Sequence, residues 1–319
     1  MSARWRKAHD STGAGCRPDD LGSVTAMSER SGDDACADPS APKVPLTLTG
    51  VPETLLWNLY HRSIAAADPD NPFEDPKAIE LVARIDYPFE EFVTEHTDYL
   101  ARWHALRVQT LDAEIRRFLT ANPGGTVVAL GEGLETQFWR VDDGQVRWLS
   151  VDVPEAIDAR AKLLPEGPRQ VSVDCSAMHE RWMDEADTDH GLLITAQGLL
   201  MYLPLTEVEA LVSRCARRFP GESFVFDSVP ARMVHSRERL GGTGKGAGYQ
   251  PPPWVWGMQA SVRRRLSVLP GVSELREVPQ VKGHGLVFGM LLPTLRRVPW
   301  LAELMPTFPV LRTQFASRT

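Results

Sequence analysis

The sequence has no CxxC pair, no HExxH, no phosphate-binding G-x-x-x-x-G-K-[ST] and no run near the ~18 apolar residues a bilayer-spanning helix needs. Each absence removes a class of function. The four cysteines, Cys16, Cys36, Cys175 and Cys215, stand far apart, so neither a zinc knuckle nor a CxxC redox pair is available. The eight histidines form no tight cluster with Cys or acids, and no metal is expected. Arg4, Arg6 and Lys7 are followed by no apolar h-region, so no secretory signal is expected and free thiols in a cytoplasmic protein are favoured over a disulfide frame. A net charge of −7 lacks the basic excess of a general nucleic-acid binder. Neither nucleic acid nor membrane is an expected partner, and the chain reads as a monomer or homodimer. What remains is ordinary for a globular enzyme: 43% hydrophobic and 24% charged residues over 319 positions, enough for a sizeable core.

Residues 1–45 are rich in Ser, Asp, Gly, Ala and Pro and have little apolar periodicity, which predicts a disordered extension. Met27 is an alternative start within it. Residues 46–123 read as a helical cap. Helical spacing runs from Thr54 to Ala67 and ends at Asp68-Pro69, a second helix starts at Asp75-Pro76, and Thr97–Leu119 is a long amphipathic helix stopped by Asn122-Pro123-Gly124-Gly125. From residue 124 the rhythm becomes strand, helix, strand. Thr126–Leu130, Val146–Val151, Gln170–Asp174, Leu192–Ala196 and Ser223–Asp227 are short β-branched-rich runs. Helical candidates lie between them over Glu155–Leu164, Ala177–Ala186 and Leu205–Phe219. This alternation predicts an α/β domain, a doubly wound parallel sheet over residues 124–319. Gly271–Val278 and Gly285–Leu292, flanking Lys282-Gly283-His284, are expected to add an antiparallel C-terminal hairpin. The Gly- and Pro-rich stretch from Gly241 to Pro253 suggests a lid insertion around 235–258.

Open α/β sheets bind ligands beyond the carboxyl ends of their strands. There, directly after the first strand of this sheet, stands Gly131-Glu132-Gly133. A lone GxG is a weak signal. Asp152 ends the second strand at the ~20-residue spacing of a ribose-binding carboxylate. Asp174, followed by Cys175, ends the third and is placed to meet an adenine amino group. Each aspartate has an alternative role as a helix N-cap. Three such features at successive strand ends nevertheless point to an adenosine-containing cofactor. A dinucleotide fingerprint wants a third glycine where Thr136 stands, so S-adenosylmethionine, which has no phosphate, fits better. Arg107 on the long helix offers a bidentate partner for its methionine carboxylate.

These residues resemble the leucine carboxyl methyltransferase family, in its bacterial polyketide O-methyltransferase branch, from about Gly50 to Pro299. The similarity is carried by Gly50–Leu56, by Leu106–Asp112 around Arg107, by Leu130–Arg140 around the glycine turn, and by Ser150–Glu155 around Asp152 and Val153. The most specific match is Thr195-Ala196-Gln197-Gly198-Leu199-Leu200-Met201-Tyr202-Leu203. The resemblance implies a class I methyltransferase, Rossmann-like fold and cofactor contacts from Arg107, Gly131, Gly133, Asp152, Val153, Asp174, Cys175 and Gln197. The chain departs from the family pattern at Glu135 and Gln137, where G-x-G-L-D-T-R has an acid and a base. It departs again at Gln197, where many members carry Glu, although an amide still offers a carbonyl acceptor.

The activity so implied is S-adenosylmethionine-dependent O-methylation of a small-molecule acceptor in secondary metabolism, at a carboxylate or at a phenolic hydroxyl. No unambiguous base stands out, which favours the carboxylate because it is already ionised at neutral pH. Tyr202, Arg62 and Arg232 are the candidate catalytic residues, with Tyr60, Trp254 and Trp256 beside them; a core role for the tryptophans and a structural ion pair for Arg62 compete. Two other functions stay open: a non-catalytic cofactor-binding relative, and an NAD(P)-dependent oxidoreductase.

Overall fold

A computed structural model describes residues 42–239, 252–283, 285–295 and 308–318. The central feature is a seven-stranded sheet in the order β5-β4-β3-β6-β7-β9-β8. Its strands are β3 (Thr126–Leu130), β4 (Arg147–Asp152), β5 (Gln170–Asp174), β6 (Leu192–Ala196), β7 (Ser223–Asp227), β8 (Val272–Glu277) and β9 (Val310–Phe315). β3 to β7 are parallel, and β9 lies antiparallel between β7 and β8. This is a doubly wound sheet whose strand order reverses between β3 and β6, the place where such sheets open a crevice.

The two-residue period of the strands divides the core between two faces. Val128, Leu130, Ile194, Phe224 and Phe226 pack on one side, against Val208, Leu211, Val212 and Cys215. Those four belong to the crossover helix Leu205–Arg218. Val127, Ala129, Leu193 and Val225 face the other side and meet Leu111, Ile115, Phe118 and Leu119. Because both faces are covered, the strands are nearly continuous hydrophobic runs, as parallel strands usually are.

Before the sheet come β1 (Val44–Pro45), α1 (Thr54–Ala67), α2 (Pro76–Arg84), β2 (Ile85–Asp86) and the long α3 (Thr97–Ala121). α1 and α2 bury Leu56, Leu59, Ala78 and Leu81 in a cluster with Leu134 and Leu163, so the cap is anchored directly on the glycine turn and on the helix after β4. At roughly 1.5–3 kcal/mol per buried large aliphatic side chain, this contact is strong enough to fix the cap in place. Further helices are α4 (Gln137–Val141), α5 (Pro154–Leu163), α6 (Arg181–Glu185), α7 (Leu205–Arg218), α8 (Ala231–Arg239) and α9 (Ala260–Ser267).

Three expectations change. Gly285–Leu292 is not a strand: a π-helical stretch, Leu286–Leu291, runs into helical Leu292–Leu295. The antiparallel edge exists, but Val310–Phe315 is the partner of β8. Order also begins inside the segment read as a disordered extension, since Val44–Pro45 pairs in parallel with Ile85–Asp86. Residues 1–41, His284 and half of the suggested lid, 240–251, lie outside the described residues. At the ends of that stretch, Ala231–Arg239 is helical, and Trp256 and Met258 are buried in the main core.

Between α1 and α3 lie two buried histidines with opposite tautomeric demands. His61 Nδ1 donates to the Trp57 carbonyl at 2.8 Å, whereas His104 Nδ1 accepts from the Arg107 guanidinium at 3.2 Å. Burial holds the His61 imidazole down at about 4 and pushes His104 well below its usual value, with Arg107 adding to both. An unfolded histidine takes its proton near ~6.5. Between there and about 4 the unfolded chain therefore binds more protons than the native one, and stability rises with pH across that window. His61 alone corresponds to about 3 kcal/mol. Urea melts at a series of pH values across that window should show this slope, and His61→Gln should make it shallower; an unchanged slope would contradict the burial argument.

Candidate active site

A cavity of ≈ 240 Å³ opens at the carboxyl ends of β3, β4 and β6, beneath α1. Its floor is the turn Gly131-Glu132-Gly133, both of whose glycines have positive φ, 63° and 54°. A Cβ on Gly131 would lie 2.9 Å from the Leu199 side chain, so both the backbone conformation and the packing require glycine there. The turn is pinned from below. Arg160 on α5 donates to the carbonyls of Gly133 and Glu135 at 2.9 and 2.8 Å and to the Glu132 carboxylate at 3.1 Å, and Trp148 Nε1 reaches the same carboxylate at 3.0 Å. Arg160 and Trp148 give no motif signal, because they act on the loop from the strand and helix that follow it.

At the end of β4, Asp152 accepts from the backbone N–H of Gly133 at 2.7 Å and from that of Val153 at 2.8 Å. Burial raises its pKa, although those two N–H groups oppose the shift. Asp152, Val153, Ala156, Ser176 and Ala177 line one end of the cavity. Asp174 and Cys175 are not in that lining: the exposed Asp174 is engaged with Arg181, seven residues on, and Cys175 points into the core. Ser176 and Ala177 stand where those two were expected.

Arg107, Asn58, Gln197 and Gly198 line the opposite end. Arg107 pairs with Asp227 at 2.9 Å, with relative exposures of only 4% and 0%, and Asp227 also accepts from Gly198 N–H at 2.7 Å. Asn58 Oδ1 accepts a further bond from the same guanidinium at 3.3 Å. Neither Asp227, which ends β7, nor Asn58, which lies in mid-helix, is among the residues expected from the sequence.

Arg62 touches the cavity but is spent on structure. It pairs with Glu135 at 2.9 Å and Asp75 at 3.3 Å, and donates to the Leu134 carbonyl at 2.8 Å. Arg140 closes the same buried network, reaching Glu135, Asp75 and Asp112. Thr136, standing at the third-glycine place, is fully buried with its hydroxyl on Asp75 at 2.7 Å. Tyr202 lines the cavity and accepts from Trp254 Nε1 at 3.3 Å, while Trp256 is buried with its indole N–H on the Leu200 carbonyl. Arg232 and Tyr60 lie outside the lining: Arg232 is half-buried on α8, and Tyr60 stacks on Phe89 at 5.5 Å.

The leucine carboxyl methyltransferase family model matches residues 56–216, half of the chain, which includes all of this floor. The tetracenomycin polyketide synthesis O-methyltransferase TcmP of Streptomyces glaucescens is 35% identical over 185 residues, covering 58% of this chain and 68% of that protein. The chain belongs to the leucine carboxyl methyltransferase family. A second relative, the S-adenosyl-L-methionine-dependent methyltransferase dpfgK of Gibberella zeae, is 29% identical over 188 residues, 54% of this chain and 63% of that one. Among solved structures, magnesium protoporphyrin IX methyltransferase from Synechocystis PCC 6803 with bound SAH aligns with a TM-score of 0.43 and 12% identity, over 76% of this chain and all of that one.

This leucine carboxyl methyltransferase family member is thus an O-methyltransferase whose methyl donor is S-adenosylmethionine. The residues present fit that molecule. A turn whose two glycines have positive φ sits beside a strand-end carboxylate, Asp152, which it bonds. At the far end, Arg107 Nε and Gln197 Oε1 are buried without a partner among the described residues. These are a donor for an anion and an acceptor for a cation, the two ends of an amino acid. No helix among the described residues is long and apolar enough to cross a membrane, and no cluster of potential metal ligands is found among them.

Proposed function

We propose that this methyltransferase esterifies a carboxyl group of a small organic acid or natural-product intermediate, with a phenolic hydroxyl as the second acceptor class. The supporting observation is the state of the groups around the cavity. Neither His nor Lys lines it among the described residues, and its carboxylates are all engaged: Glu132 with Arg160, Glu135 with Arg62 and Arg140, Asp152 with the loop N–H groups. Glu132 keeps one oxygen without a partner among the described residues, but its carboxylate is buried beneath the turn on Arg160 and Trp148, and no carboxylate there stands free as a general base. A carboxylate acceptor, ionised at neutral pH, needs none; a phenol, with its pKa near ~10, does.

When bound, S-adenosylmethionine supplies an electrophilic methyl group on a sulfonium. In the proposed arrangement Asp152 accepts from the ribose hydroxyls, Gly131 and Gly133 let the backbone approach, and Ser176 and Ala177 flank the adenine. Arg107 takes the methionine carboxylate and Gln197 the ammonium. Tyr202, oriented by Trp254, borders the acceptor side. Most of the rate then comes from position and from exclusion of water rather than from proton transfer. A panel of small acids and phenols, incubated with cofactor and followed by mass spectrometry, tests this. The expected product is a base-labile methyl ester whose rate of formation is flat from about pH 6 to 8, because the acceptor is ionised throughout. A base-stable methyl ether whose rate climbs with pH would replace the carboxyl reading with the phenolic one.

A further inference from the structure

Gln197 and Glu135 both line the cavity, and their side chains are bonded to each other: Gln197 Nε2 donates to Glu135 Oε2 at 2.7 Å. Glu135 is buried between two guanidiniums, Arg62 at 2.9 Å and Arg140 at 2.8 Å. Burial alone would raise its pKa, but the two arginines outweigh that effect and bring it down to about 2. It is a carboxylate at any working pH and has only acceptors to offer. An amide facing such a group has one good orientation, with its NH₂ toward the carboxylate and its carbonyl turned away. The carbonyl so turned, Gln197 Oε1, is the buried atom left without a partner among the described residues.

We infer that Glu135 is a positioning residue for the cofactor: it fixes the amide of Gln197 so that Oε1 faces the cavity as an acceptor for a ligand ammonium. The amide is then matched to Glu135, and it is not the trace of a lost catalytic carboxylate. A glutamate at 197 would place a second carboxylate at hydrogen-bond distance from the first. Glu135 reaches one methylene further than the aspartate of the G-x-G-L-D-T-R pattern, so in this chain two carboxylates at 135 and 197 would repel or one would take a proton. This inference rests on the proposed placement of the methionine end of the cofactor at Gln197.

The test is calorimetric binding of S-adenosylhomocysteine, which undergoes no turnover, and of its analogue lacking the α-amino group. Four proteins are compared: wild type, Gln197→Glu, Glu135→Gln and the double exchange. Wild type should prefer the aminated ligand by tenfold or more. Gln197→Glu alone should bind it at least tenfold more weakly than wild type, and the double exchange, which moves the charge to 197, should return affinity to within about threefold. Glu135→Asp keeps the charge for both arginines but withdraws it from the amide by one methylene. It should fold like wild type, as read by its thermal midpoint, and lose most of the preference for the amino group; this variant carries the test if Glu135→Gln does not fold. Gln197→Glu binding as tightly as wild type, or Glu135→Asp keeping full amino discrimination, would overturn the inference. A wild type that binds neither ligand would instead overturn the cofactor placement on which it rests.

Discussion

Arg107→Met is expected to weaken cofactor binding severely and to destabilise the fold by about 3–5 kcal/mol, the usual cost of leaving one member of a buried ion pair alone. Asp227 is fully buried, and its other bond comes from the N–H of Gly198 on the cavity rim. Loss of the guanidinium thus strands a carboxylate and loosens the loop that carries Gln197. The two effects can be separated. Asp227→Asn in the Arg107→Met background removes the stranded charge and keeps an acceptor for Gly198, so most of the stability should return. Affinity should not return, because the donor proposed for the methionine carboxylate is still missing. Charge-assisted hydrogen bonds worth roughly 1.5–3 kcal/mol each put that loss on the order of 100-fold or more. Urea melts together with calorimetric titration measure both quantities. A double variant with wild-type affinity would show that Arg107 serves only the core.

Asp152→Ala should act in the opposite proportion, with a large loss of affinity and little change in stability. Its carboxylate bonds the backbone N–H of Gly133 in the glycine turn and that of Val153 beside it, and is only partly shielded from the cavity. Removing it takes away the acceptor proposed for both ribose hydroxyls, again on the order of 100-fold. Asp152 should also leave a mark on the pH profile. Burial raises its pKa above that of an ordinary aspartate, so on acidification it takes its proton, and loses acceptor capacity, sooner than a free side chain would. Affinity for S-adenosylhomocysteine should therefore decline as pH falls toward that value, and Asp152→Asn should remove the decline. The same pH dependence in Asp152→Asn as in wild type would assign it to another group.

Legibility in the sequence followed the range of the interactions involved. β3 to β7 and α3 were readable because each carries its own period, apolar and β-branched runs bounded by Gly, Pro and Asp, or apolar residues recurring every third or fourth position. Gly131, Gly133, Asp152 and Gln197, which line the cavity, could be singled out because they stand at strand ends, where a parallel sheet opens its crevice. Gly285–Leu292 misled because a short apolar run does not distinguish strand from helix. β9 was hidden for the converse reason: Val310–Phe315 contains Arg312 and Gln314, whose side chains bond to Ser223 and to the Gly221 carbonyl across the sheet edge. The second half of the site was written in long-range pairs. Arg107 meets Asp227 across 120 residues and Arg140 meets Asp75 across 65, separations at which no local pattern survives. Asp174 shows the reverse error. Its position is that of a strand-end ligand, but a near neighbour, Arg181, has claimed its carboxylate.

These pairs also alter the meaning of the departures from the family pattern. Glu135 and Gln197 appear in the sequence as two separate oddities, one in the glycine loop and one after β6. In the fold they form a single hydrogen bond, and Gln137, the third oddity, donates to Asp112 at 2.7 Å beside Arg140. The substituted positions thus belong to one polar network that is buried under the cavity and supports it.

The most direct test of the central claim is a crystal structure of the protein with S-adenosylhomocysteine. Density is expected in the cavity between the Gly131-Glu132-Gly133 turn and Gly198. The ribose should lie on Asp152 and the adenine beside Ser176 and Ala177, with the amino-acid end spanning Gln197 and Arg107. Density in the reverse orientation, at another site, or a cavity left empty at saturating ligand while NAD(P) occupies it, would contradict the account.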